Sequence, residues 1–238
     1  MRIGILETDQ LDDETQQAYG SYAEMFSRLF YSIDNTVSFN VYSILKNEFP
    51  SDIHECDAYL ITGSKRSAYD NTDWILSLKQ FINTLNNNKK TLIGICFGHQ
   101  IIAQALGGQV KQSKKGWGLG TMAYSIFKHQ PWMKGSFDHF KLVITHHDQV
   151  EVLPPNAETI AGNDFCPIAA VQLGRHILTF QGHPEFSADF ANHLLTFQQP
   201  PLETQRLKQV QLSLKDKTDH QLVAQWILNF ICNNIKET

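Results

Sequence analysis

The heptapeptide Gly94-Ile95-Cys96-Phe97-Gly98-His99-Gln100 sets a thiol between two glycines, each two positions away. The apolar run Thr91-Leu92-Ile93 leads in as a strand, and Gln100 to Leu106 leads out as a helix closed by Gly107-Gly108. A nucleophile on a tight strand-to-helix turn is the nucleophile-elbow arrangement, with glycines where the backbone closes up. The helix start adds free N–H groups and a partial positive charge, which favour a negatively charged sulfur. A buried structural cysteine needs neither glycines nor a helix start, so the motif predicts a nucleophile at Cys96.

A sulfur nucleophile needs a base, and the base needs orienting. Ten histidines are present, so position must select among them. Ile177-Leu178-Thr179-Phe180-Gln181 reads as a buried strand and runs into Gly182-His183-Pro184-Glu185. Residues two apart in extended backbone share a side, so His183 and Glu185 are expected to converge, with Pro184 stiffening the spacing. Taken alone, the tripeptide would equally suit a surface histidine beside a glutamate. Acyl transfer also needs oxyanion donors. Phe97 offers the amide directly after the nucleophile, and Gly63, in the turn after Tyr59-Leu60-Ile61-Thr62, offers either a second donor or an ordinary turn.

The elements that must carry these residues alternate. Strands are expected at Arg2 to Leu6, Ser38 to Ser43, Ala58 to Thr62 and Thr91 to Ile93, with amphipathic helices at Tyr22 to Phe30 and Asp73 to Leu85. The polar segment Glu7 to Gly20 is either a long loop or a helix start. Beyond Gln109 come short strands at Gln109 to Lys111, Gly120 to Phe127, Leu142 to Thr145, Ala157 to Ala161, Ala169 to Leu173 and Ile177 to Gln181. Ala188 to Phe197 reads as helix, then a Pro200-Pro201 break, then two more helices ending near Ile235. The expected architecture is a mostly parallel open α/β sheet with flanking helices and an antiparallel extension. One domain over 1–238 is expected, with a helical C-terminal tail from about residue 188.

Composition narrows the function. A net charge of −4 gives no reason to expect nucleic acid, and the cluster Lys111, Lys114, Lys115 reads as a solvated loop. Cys56, Cys96, Cys166 and Cys232 are scattered, without a CxxC pair, which argues against a zinc ribbon or thiol-redox motif. Met1 to Leu6 reads as a strand and not a signal peptide, and no apolar run nears the roughly 18 residues of a membrane span. A reduced, cytoplasmic setting is expected, with no cofactor. His146, His147 and Asp148 are adjacent along a strand and lack metal-ligand spacing, so no metal is expected.

G-I-C-F-G-H-Q with its G-G helix end, the upstream I-T-G-S turn, T-H-H-D-Q-V in the middle and the late F-Q-G-H-P-E-F together resemble class I glutamine amidotransferases. The motifs resemble free-standing GMP synthase-like domains, and plant γ-glutamyl peptidases look similar too; the likeness covers residues 1 to about 190. It implies a flavodoxin-like sheet and a Cys-His-Glu triad that hydrolyses the side-chain amide of glutamine through a γ-glutamyl thioester. Carried over by motif, Cys96 is the nucleophile, His183 the base and then the acid, and Glu185 its orienting partner. Gly63 and Phe97 form the oxyanion hole. Gln100 helps hold the substrate, and the backbone of Thr145 to Val150, with His146, His147 and Asp148, meets its amino-acid end.

Two departures bear on the substrate. The family commonly has Gly-Gly-Pro where this chain has Thr62-Gly63-Ser64, and His147 stands where the GMP synthase pattern has glycine. Three functions stay open. A glutaminase fits the motifs but wastes its ammonia unless a separate subunit accepts it, because no phosphate loop or synthetase domain is evident. A γ-glutamyl peptidase forms the same thioester and releases a peptide or glutathione conjugate. A non-catalytic regulatory protein on the same fold would be expected to lack a triad member. In each enzymatic case the partner is glutamine or another γ-glutamyl small molecule. The oligomeric state is not read from the sequence.

Overall fold

A computed structural model describes residues 1–197 and 202–235. In chain order the elements are β1 (Arg2–Glu7), α1 (Asp13–Tyr19), α2 (Tyr22–Tyr31), β2 (Ser38–Ser43), β3 (Ala58–Ile61), α3 (Asp73–Asn87) and β4 (Thr91–Ile95). They continue with α4 (Phe97–Ala105), β5 (Gln109–Gln112), β6 (Gly118–Ile126), β7 (His139–His146), β8 (Asp148–Val152) and β9 (Ala157–Gly162). Last come β10 (Ala170–Leu173), β11 (Ile177–Phe180), α5 (Ala188–Leu195), α6 (Thr204–Ser213) and α7 (His220–Ile235).

One nine-stranded sheet runs β2-β1-β3-β4-β11-β10-β9-β6-β7. From β2 to β11 the pairings are parallel, and from β11 to β7 they are antiparallel. The open α/β sheet with flanking helices and an antiparallel extension therefore stands. The central strands are buried on both faces, and alternate side chains divide between them. Leu60 and Ile93 join Phe26 and Phe30 of α2 and Val223 to Ile231 of α7; Tyr59, Ile61 and Leu92 join Ile75, Leu78 and Ile82 of α3 and Ile101 of α4. Trp226 of α7 is fully buried against Phe137 and Phe140. Truncating such a side chain costs about 3–5 kcal/mol, so α7 is a structural layer of the sheet.

Strand order reverses between β1 and β3, and in open α/β sheets ligands bind at such a switch point beyond the carboxyl ends of the strands. The loops after β1 and β3 flank that point. The open alternative at Glu7 to Gly20 resolves as a loop followed by α1. Asp12 caps this helix by accepting from Thr15 N at 2.9 Å, and Asp13 and Glu14 sit in its first turn, where negative charge is favoured.

Two differences from expectation bear on the site. The helix after the elbow begins at Phe97, three residues before Gln100, because Cys96 is itself its N-cap residue. Asp148–Val152 forms a strand that the sequence reading did not include, and it pairs with β5 in a separate ribbon beside the main sheet. The Pro200-Pro201 break lies outside the described residues. Among the described residues, no helix is long and apolar enough to cross a membrane.

Candidate active site

Cys96 follows β4 directly and has φ 52° and ψ −102°. That left-handed region is strained for any residue with a Cβ, at a cost of about 1–3 kcal/mol, so the surrounding packing must hold it. Both glycines are steric necessities. A Cβ at Gly98 would lie 2.3 Å from the Ile61 carbonyl oxygen, and one at Gly94 would lie 2.6 Å from the Gly98 backbone. Cys96 N donates to Phe180 O at 2.8 Å and Gly98 N to Thr62 O at 3.2 Å, which pins the elbow between β11 and β3.

His183 and Glu185 converge as the spacing predicts. His183 N donates to Val143 O at 2.8 Å, and the ring Nδ1 lies 2.8 Å from Glu185 Oε1. An ionised carboxylate only accepts, so Nδ1 carries a proton and Nε2 is the atom left for chemistry. Both residues are buried, and Phe186 stacks on the imidazole at 3.9 Å with planes 7° apart. Burial pushes against protonation of the ring, but the charges of Glu185 and then Cys96 outweigh it and lift His183 to about 10. His183 Nε2 is buried and turned toward Cys96. A Cβ added at Gly63 would lie 2.9 Å from His183 Cε1 and 3.8 Å from Cys96 Cβ, so the three residues are mutual neighbours.

Gly63 sits in a braced loop. Thr8 N donates to Thr62 Oγ1 at 3.0 Å, and Thr8 Oγ1 lies 3.1 Å from the Thr62 carbonyl and 3.0 Å from that of Gly63. Asp9 Oδ2 accepts from Lys65 N at 2.9 Å, and Asp9 Oδ1 pairs with Lys65 Nζ at 3.3 Å. Thr8 and Asp9 are buried and were not among the expected site residues. Two buried polar side chains beside a strand end are the signal that could have found them, but only spatial contact with residue 62 reveals their task.

The amino-acid segment is tied down in the same manner. Gln100 Nε2 donates to Asp148 O at 2.8 Å and to Gln181 Oε1 at 3.1 Å, and Gln181 Nε2 reaches Cys96 Sγ at 3.6 Å. The Asp148 carboxylate accepts from Ser67 Oγ at 2.6 Å and Tyr69 OH at 3.2 Å. His147 packs at a tilt against Trp117, with centroids 5.3 Å apart, and its Nδ1 lies 3.0 Å from Gln112 Nε2. His146 turns inward, with Nδ1 3.1 Å from Asp148 O, and burial lowers it to about 4. Gln181, Ser67 and Tyr69 join the site without having been expected.

Cys96, His183, Gly63, Gln100, His146, His147 and Asp148 all border one cleft of about 600 Å³. Glu185 stands behind His183, and Phe97 points its ring into the core against Trp74 while its amide begins α4. Beside His183 the wall is apolar, made by Leu11, Tyr22, Phe186, Leu194 and Phe197; Lys65 and Arg66 stand beyond Gly63. Among the described residues, no group of His, Cys, Asp or Glu could hold a metal ion. The arrangement can perform nucleophilic acyl transfer with an oriented imidazole.

The family model for glutamine amidotransferase class-I matches residues 15–199. Gamma-glutamyl peptidase 4 of Arabidopsis thaliana is 32% identical over 73% of this chain and 71% of its own. Gamma-glutamyl peptidase 3 of the same plant is 29% identical over 73% of this chain and 72% of its own. A crystal structure of a glutamine amidotransferase from Thermotoga maritima superposes with a TM-score of 0.75 at 17% identity, covering 100% of this chain and 98% of that one, a likeness of fold.

Proposed function

The chain belongs to the glutamine amidotransferase class-I family, and on that premise we propose a Cys-His-Glu hydrolase that cleaves a γ-glutamyl amide through a γ-glutamyl thioester. The observation that carries this reading is the strained Cys96 at the start of α4, beside a His183 held protonated by Glu185.

In this reading the proton of Cys96 is held on His183, and Sγ adds to the γ-carbonyl carbon. The developing oxyanion accepts from the amides of Phe97 and Gly63, a helix-start donor and a braced-loop donor. Collapse breaks the carbon–nitrogen bond as His183 gives its proton to the departing amine. His183 then takes a proton from water as that water attacks the thioester, and collapse breaks the carbon–sulfur bond, freeing glutamate and returning Cys96 with the proton on His183. Gln100 has committed its amide hydrogens to Asp148 and Gln181, which leaves its acceptor Oε1 for the α-ammonium of the γ-glutamyl group.

The leaving group divides a glutaminase from a γ-glutamyl peptidase. Ammonia needs no room beyond the γ-amide, and a glutaminase needs a second subunit to use it. The apolar wall beside His183, where a departing amine takes its proton, favours an amine that carries a side chain. Rates with glutamine and with γ-glutamyl dipeptides, together with mass analysis of quenched protein, test both levels. A γ-glutamyl adduct on Cys96 is expected, with higher kcat/KM for the dipeptides. Full turnover by Cys96→Ala would end the thioester reading, and preference for glutamine would end the peptidase reading alone.

A further inference from the structure

Gln181 is fully buried, two residues before the base, and its side chain touches the nucleophile. A buried amide is costly unless both of its ends are bonded, and both are. The direction of these bonds is chemically forced. The Asp148 carbonyl can only accept, so the Gln100 atom 2.8 Å from it is the NH2 group. That NH2 also meets the Gln181 amide at 3.1 Å, so the atom it meets there is the Gln181 oxygen. The Gln181 nitrogen is thereby turned toward Cys96 Sγ at 3.6 Å and presents an N–H to it.

Resting on the reading of Cys96 as nucleophile, we infer that Gln181 is a further catalytic residue, a fixed hydrogen-bond donor to the sulfur, and that Gln100 is the positioning residue that sets its polarity. A donor held on the sulfur favours the charged, accepting form over the thiol. It also keeps Sγ in place beside His183, whose Nδ1 is committed to Glu185 and whose Nε2 faces the sulfur and the leaving amine. The chain of amides begins at a backbone carbonyl of the segment proposed to bind the amino-acid end. A shift of Asp148 on substrate binding is therefore transmitted to the nucleophile through two side chains.

The test is the pH dependence of Cys96 alkylation by iodoacetamide, with kcat and KM for a γ-glutamyl dipeptide, in wild type, Gln181→Met, Gln181→Glu and Gln100→Met. Thermal unfolding of each variant confirms a folded protein, and Gln181→Glu keeps the shape should the methionine variant not fold. Gln181→Met is expected to lower kcat about 10- to 100-fold with little change in KM, and to move the alkylation midpoint up by about one pH unit. Gln181→Glu moves it further, because a carboxylate repels the charged sulfur; Gln100→Met moves it in the same direction by less. Wild-type pH profiles in folded Gln181 variants would overturn the inference. A wild-type protein whose activity survives alkylation of Cys96 would instead overturn the nucleophile reading beneath it.

Discussion

Two strand ends meet at the cleft, and each buries a histidine to the same degree: His183 after β11 and His146 at the end of β7 are both 3% exposed. Their charges are opposite in tendency. His183 is lifted to about 10 and His146 is lowered to about 4. Burial lowers both, so the partner decides. His183 faces the Glu185 carboxylate, whereas His146 bonds to the Asp148 carbonyl, and a single peptide dipole does not offset the loss of water. The charge on His183 adds a further reason for His146 to stay neutral. Within one cleft, the same residue type is drawn toward its charged form at one end and toward its neutral form at the other.

Removing each ring is the harshest way to break this contrast. His183→Ala is expected to lower kcat by about a thousandfold or more, as loss of a general base does. His146→Ala is expected to stay within about tenfold in kcat, its effect appearing mainly in KM. Steady-state kinetics on both variants with a γ-glutamyl dipeptide decides it, and a His146→Ala as inactive as His183→Ala would reverse the assignment.

Glu185→Gln sharpens the contrast by making one environment resemble the other. Without the carboxylate, burial dominates at His183 and its pKa falls toward that of His146. Since the proton held by His183 is lost as pH rises through about 10, the alkaline limb of kcat/KM should move to lower pH in the variant. A fall in kcat of about 10- to 100-fold is expected with it. An unmoved limb would mean that Glu185 is not what keeps the ring charged.

The last contrast concerns stability in acid. His146, at about 4, and His99, which burial lowers to about 3, stay neutral in the folded chain where the unfolded chain near 6.5 takes up protons. Depressed folded values mean that stability is complete above about 6.5 and lost as pH falls below it. The slope is about 1.4 kcal/mol per pH unit for each such group. Denaturant unfolding between pH 7 and 4 should show this loss, and His146→Gln should make it shallower. An unchanged slope would place His146 in contact with solvent.

The elbow and the His183–Glu185 pair were legible because each is local. A cysteine between spaced glycines, and two residues of one extended segment, state their geometry within a few positions. The parallel core was legible from its apolar strands. What escaped depends on contacts across the chain. β8 alternates poorly and gains its identity only from pairing with β5. Thr8 and Asp9 brace a loop more than fifty residues away, as Thr8 N to Thr62 Oγ1 shows. Gln181 stands within the F-Q-G-H-P-E-F motif, yet nothing beside it in the sequence predicts that its amide reaches Cys96.

β3, β4 and β11 lie side by side, and their C-terminal ends deliver Gly63, Cys96 and His183. Of the two seams this requires, β4–β11 joins residues as distant as Leu92 and Ile177. Pairings of such long sequence separation close late, because the loop entropy is lost before the contact repays it. During refolding, compaction and helix formation would therefore precede any selective reactivity at Cys96. The return of that reactivity serves as a clock for the slowest seam of the sheet.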